Sequence, residues 1–99
     1  MIVAFTREAE SDLDAIAEYI AQDSVTAALN LVYDLREKCL ALAHAPRAWP
    51  LVLRYEHHGI RRRPSGNYLI FYRIGRTTIE VVHILHGARD YESLLFPEK

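Results

Sequence analysis

From Ala9 to Leu42 the apolar residues return every third or fourth position, and from Gly59 onward every second. That change of period, from about 3.6 to about 2, constrains the fold more than any other feature, because one pattern suits a helix and the other a strand. The first stripe runs Ala9, Leu13, Ile16, Ala17, Ile20. It follows Thr6, a good helix N-cap, and Glu8 and Glu10, acids that complement the helix dipole. Asp23-Ser24 breaks this helix and caps a second, which carries Ala28, Leu31, Val32, Leu35, Cys39 and Leu42 on one face and stops before Pro46. So short a link makes the pair an antiparallel hairpin.

Ahead of the helices, Ile2-Val3-Ala4-Phe5 is a short β-rich run, and after them 46–58 is a Pro- and His-containing loop. Strands are predicted at Gly59 to Arg63, Tyr68 to Ile74 and Thr78 to His86. Pro64-Ser65-Gly66-Asn67 and Gly75-Arg76-Thr77 form the turns between them, and Ala88 to Phe96 is an irregular or helical tail. The order β-α-α-β-β-β indicates an α+β fold: an N-terminal strand, then a two-helix hairpin packed on a small antiparallel sheet of three to four strands. With 99 residues the chain is expected to form one domain, 1–99. Tyr68, Ile70 and Tyr72 share one face of their strand and Leu69, Phe71 and Arg73 the other. One face is expected to pack on the helices and the other to be free to bind.

The formal net charge of −1 argues against a dedicated non-specific nucleic-acid binder, but the total hides a split. Residues 1–37 hold eight acids and two bases, whereas 38–99 hold ten bases and five acids. Ten of the twelve bases are Arg, which suits bidentate contacts to carboxylate or phosphate. The single cysteine, Cys39, excludes an intrachain disulfide and a Cys-rich zinc site, in keeping with a reducing cytoplasm. The opening MIVAFTREAESDL has no basic stretch followed by an apolar one, so no signal peptide is expected, and no apolar run approaches a membrane span. Phosphate-cradling and nucleophile-elbow motifs are absent from the sequence.

His83 and His86, three apart in a strand, point to opposite faces and cannot share an ion, and His57-His58 has no further ligand at useful spacing. Glu8/Asp12 and Asp14/Glu18 are like-charged pairs at helical spacing, with the pattern of a solvated acidic face. Cys39 lies on an apolar stripe and belongs to the core. The arginines are more informative. Arg54, Arg61, Arg62, Arg63, Arg73, Arg76 and Arg89 are interleaved with Tyr55, Tyr68, Tyr72 and Tyr91, a composition shared by protein hot spots and phosphate-and-base recognition. Within Arg61-Arg62-Arg63 the middle residue points away from its neighbours.

Taken together and in order, FTREAESDLDAIAEYI, CLALAHAP, GIRRRPSGNYLIFYRI and IEVVHILHGARDYESLLF resemble the ParE branch of the RelE/ParE toxin superfamily from about Phe5 to Phe96. The resemblance implies a bacterial type II toxin of that fold, cytoplasmic and without a cofactor or metal, neutralised by a small ParD-like antitoxin that wraps it. ParE members characteristically inhibit DNA gyrase, whereas RelE members cleave mRNA on the ribosome. The ribonuclease branch typically places an Arg directly after the strand tyrosine, where this chain has Leu69, and a Tyr in a C-terminal register that falls on Leu95, close to Tyr91. Its Arg at the end of the last strand is matched by Arg89. Leucine can neither stabilise a phosphorane nor move a proton, which favours a gyrase-inhibiting binder over an enzyme. Arg61, Arg62, Arg63, Arg73, His86 and Arg89 are then expected to form the surface for target or antitoxin. No direct sequence-specific nucleic-acid binding is expected of the toxin alone. Two alternatives stand beside this reading. One is a ribosome-dependent endoribonuclease using Arg89, His86, Glu56 and Tyr91; the other is a non-toxic binding module.

Overall fold

The computed structural model describes residues 1–97. Strand β1 spans Ile2–Phe5, helix α1 Arg7–Ala21 and helix α2 Val25–Leu40, with a 3₁₀ turn at Ala41–His44 carrying the chain off α2. After a loop containing a second 3₁₀ turn at Glu56–His58 come β2 (Ile60–Ser65), β3 (Tyr68–Ile74), β4 (Thr78–His86) and a short helix α3 (Tyr91–Leu95). Both expected caps form. The Thr6 hydroxyl accepts the Ala9 N–H at 3.0 Å and the Ser24 hydroxyl accepts that of Ala27 at 3.1 Å, each satisfying a donor the helix cannot. β2 runs on through Pro64 and Ser65, so the hairpin turn narrows to Gly66-Asn67. Gly66 there takes φ +59°, the positive φ that a two-residue hairpin turn demands.

The four strands are ordered β1-β4-β3-β2. The β2-β3-β4 meander is antiparallel as expected, but β1 joins the far edge parallel to β4, so the sheet as a whole is mixed. The helical hairpin carries the chain from β1 to β2 at the opposite edge, and the β2-β3-β4 meander then returns it to lie beside β1. Between Phe71 and Tyr72 the register with β4 shifts, leaving Val82 unmatched in a bulge. Through it, Ile79 and Val81 on one side of the bulge and Ile84 on the other all reach the helix-facing core.

That core joins Ala9 and Leu13 of α1, Leu35 and Cys39 of α2, and Ile70, Tyr72, Ile79, Val81 and Ile84 of the sheet. The opposite face is not free. Val52, Ile60, Phe71, Leu85 and Phe96 form a second buried cluster there, with Tyr55, Leu69, Val82, Tyr91 and Leu95 packed around it. The loop after α2 and the C-terminal segment fold back over this face, and the Tyr55 and Phe96 rings stack at 4.1 Å. The apolar surface of Leu69 and Phe71 explains the return, since a strand with two apolar faces needs a cover on each.

Beyond the end of β1, side chains from the start of α1 take over its pairing with β4. The Thr6 hydroxyl donates to Val82 O at 2.9 Å, and Asp12 Oδ2 accepts the Ile84 N–H at 2.9 Å. Asp12 therefore leaves the solvated acidic face assigned to it and serves as an edge cap for the sheet. No helix among the described residues is long and apolar enough to cross a membrane.

Candidate functional site

The six residues expected to form one surface are dispersed. Arg61 and Arg63 point to the helix side. Arg61 donates to Trp49 O at 2.7 Å; Arg63 donates to Lys38 O at 3.0 Å, its guanidinium 4.9 Å from the centre of the Trp49 ring. Both therefore clamp the loop after α2. The buried Nε of Arg63 has no protein partner among the described residues. Arg62 points the other way, as alternation requires, and donates to the Tyr91 hydroxyl at 3.2 Å. Arg73 is ion-paired with Glu80, its neighbour across β3 and β4. Only His86 and Arg89 come together, at the far end of β4.

These two line a cleft of about 460 Å³ with Asp12, Ala15, Ile16 and Tyr19 of α1, Tyr68 of β3 and Ile84-Leu85 of β4. Its floor is aliphatic and its walls aromatic. Tyr68 and His86 meet edge to face at 5.4 Å, and Tyr19 stands largely exposed at the rim. The Arg89 guanidinium is exposed, and no side-chain partner holds it among the described residues. His86 Nδ1 accepts the Ala88 N–H at 3.1 Å, which places the proton of the neutral ring on Nε2. Asp12, the one carboxylate in the lining among the described residues, is already engaged by Ile84 N and by His83 Nδ1 at 2.7 Å. The cleft thus offers donors and apolar surface, while the Asp12 carboxylate is committed elsewhere. Such a site is suited to holding an acceptor rather than to taking a proton.

The alternative ribonuclease set does not converge. His86 and Arg89 share this cleft, whereas Tyr91 lines a separate one of about 480 Å³ with Arg62 and the 50–54 loop. Glu56, exposed on its 3₁₀ turn, lines neither. Leu69 packs against the second cluster opposite Leu85, and Leu95 packs there too. Tyr72 is a core residue: its hydroxyl donates to Pro46 O at 2.5 Å, and burial pushes the phenol above its ordinary value. Cys39 is fully buried, and desolvation pushes its thiol up to about 12.

Tyr19 and Asp12 are the cleft residues that sequence reasoning missed. The signal was their spacing, since Asp12, Ala15, Ile16 and Tyr19 recur at three to four positions along the flank of α1 beside its apolar stripe.

The fold recurs in solved structures. A chain of the chromosomal ParDE toxin–antitoxin system of P. aeruginosa superposes with a TM-score of 0.73 at 25% identity, over 87% of this chain and 95% of that one. A chain of the RelBE2 toxin–antitoxin complex of Mycobacterium tuberculosis gives 0.66 at 24% identity, over 89% and 92% of the two chains, and shares the fold. No curated protein matches. Residues 3–91 match the family described as the ParE toxin of the parDE type II toxin–antitoxin system, and with that match over most of its length the chain belongs to the ParE toxin family.

Proposed function

We propose that this toxin acts in the cytoplasm by binding DNA gyrase and blocking it, and that a ParD-like antitoxin holds it silent. The observation that carries this reading is the chemistry of the cleft at the end of β4. His86 and Arg89 offer a donor and a cation, and the lining carboxylate of Asp12 is spent on Ile84 and His83. Cleavage of RNA through a 2′-hydroxyl needs a base, an acid and a cation around one phosphate. Here Tyr91 and Glu56 lie outside the cleft, and an aliphatic Leu69 packed against Leu85 stands directly after the strand tyrosine. Binding needs none of that machinery. An apolar floor with a cation and hydrogen-bond donors at its rim is what a protein target or an antitoxin segment requires. The test is to map mRNA 5′ ends after inducing the toxin without a partner. No new codon-positioned ends are expected; cuts set by codon position would overturn the reading and assign a ribosome-dependent endoribonuclease.

A further inference from the structure

The second cleft, of about 480 Å³, lies on the side of the second buried cluster and shares no lining residue with the Arg89 cleft. The 50–54 loop forms its apolar wall, with Leu53 74% exposed, and Arg54, Arg62, Tyr91 and Glu92 supply its polar groups. Its most informative member is Arg54. The Tyr55 N–H donates to Val52 O at 3.1 Å, closing a four-residue turn in which Arg54 takes φ +76° at the third position. That is the type II pattern, which asks for glycine or asparagine there. Arg54 is the one non-glycine residue at positive φ among the described residues, so an arginine holds a place where its own backbone is strained. Its side chain is exposed and makes no hydrogen bond or ion pair among the described residues that would account for the choice.

Arg62 lines the same cleft from the middle of β2. It is half-buried, yet its partner is the neutral Tyr91 hydroxyl at 3.2 Å, and no carboxylate pairs with it among the described residues. A guanidinium taken partly out of water beside a neutral group keeps an uncompensated charge. The Tyr91 hydroxyl accepts from Arg62 and so retains its own proton to donate. Glu92, the acid in the lining among the described residues, is itself already partnered. The cleft therefore gathers two unneutralised cations and a phenol donor beside an apolar wall. Two guanidiniums match a phosphate monoester, which carries a charge of about −1.5 to −2 and three terminal oxygens; a carboxylate would answer only one of them.

We infer that this cleft is a binding site for a small phosphate monoester, its phosphate held by Arg54 and Arg62 and its apolar or aromatic body laid against Leu53 and the loop wall. The volume is that of a small-molecule pocket, and so is the lining, mostly apolar with a few placed polar groups. The strain at Arg54 then has a purpose, since backbone strain is kept where a side chain is needed for a ligand. The inference is independent of the gyrase reading, which rests on the Arg89 cleft.

The test titrates isotope-labelled protein with phenyl phosphate, inorganic phosphate, benzoate and phenol, following backbone amide and arginine side-chain NMR signals. Phenyl phosphate is expected to shift residues 51–54, Arg62 and Tyr91 saturably, with half-saturation below about 1 mM. Inorganic phosphate should move the same signals more weakly, benzoate should bind at least about tenfold more weakly than phenyl phosphate, and phenol should not bind. Arg54→Gly, which relieves the turn, should lose at least about tenfold in affinity while its melting temperature holds or rises. Arg62→Gln should lose a similar factor. No saturable shift at about 10 mM phenyl phosphate, benzoate binding as tightly, or shifts gathered at His86 and Arg89 would overturn the inference. So would unchanged affinity in Arg54→Gly, or a fall in its melting temperature, which would make the side chain structural. A short phosphotyrosine peptide binding at least about tenfold tighter than phenyl phosphate would overturn the small-molecule assignment in favour of a phosphorylated protein.

Discussion

Asp12 Oδ2 lies 2.7 Å from His83 Nδ1 and accepts the Ile84 N–H with the same oxygen, so one carboxylate on α1 stands in for a strand along the edge of β4. The pair is mostly shielded from water, with 17% of the Asp12 side chain and 21% of the His83 side chain accessible. Asp12→Ala would leave the Ile84 N–H without a partner at a half-buried edge and separate α1 from the strand that ends in the cleft. We expect a loss of about 1–3 kcal/mol in urea unfolding, since a hydrogen bond to a charged acceptor is lost and a donor orphaned. His83→Ala, which keeps the Asp12–Ile84 bond, is expected to cost less.

The dispersal of the arginines separates support from contact. Arg63→Ala removes a bond to Lys38 O and the packing over Trp49, and is expected to cost about 1–3 kcal/mol of stability. Arg89→Ala, with an exposed side chain, is expected to change stability by less than about 0.5 kcal/mol while weakening growth arrest on induction. Denaturation curves together with growth curves distinguish the two roles; equal stability losses would contradict the placement.

Alkaline stability should report on the core cysteine. Burial raises the Cys39 thiol from 9.0 to about 12, so above pH 9 the unfolded chain releases a proton that the folded chain retains. That contribution is complete below pH 9 and is lost as pH climbs towards 12. Tyr72, also raised by burial, adds a decline of the same sign. Cys39→Ala should flatten the decline of unfolding free energy above pH 9, leaving the Tyr72 share; an unchanged slope would contradict the shift. The native thiol should also react slowly with alkylating reagents at neutral pH and quickly once unfolded.

The helices and their caps were legible because their determinants are local: Thr6, Ser24 and the apolar stripes act within a few residues. The meander was legible for the same reason, through period-two alternation and its Gly turns. The parallel pairing of β1 with β4 was not, because it joins residues some seventy-six apart, as in Ile2 with Thr78. The cover over the second sheet face escaped because Val52, Tyr55 and Phe96 sit in segments with no periodicity to reveal a buried side. Asp12 was hidden by its resemblance to the acidic pairs around it; only the tertiary position of Ile84 distinguishes it from Asp14. Within the site, alternation separated Arg62 from Arg61 and Arg63, but adjacency in sequence suggested a common surface that their bonds to Tyr91, Trp49 and Lys38 divide.

The central claim is that this ParE toxin works by engaging gyrase through a binding cleft and not by RNA chemistry. The most direct measurement is supercoiling of relaxed plasmid by purified gyrase, titrated with folded toxin and with Arg89→Ala. Supercoiling is expected to fall with added wild-type toxin and to persist at higher concentrations of Arg89→Ala. Undiminished supercoiling at saturating wild-type toxin, shown folded by circular dichroism, would contradict the account.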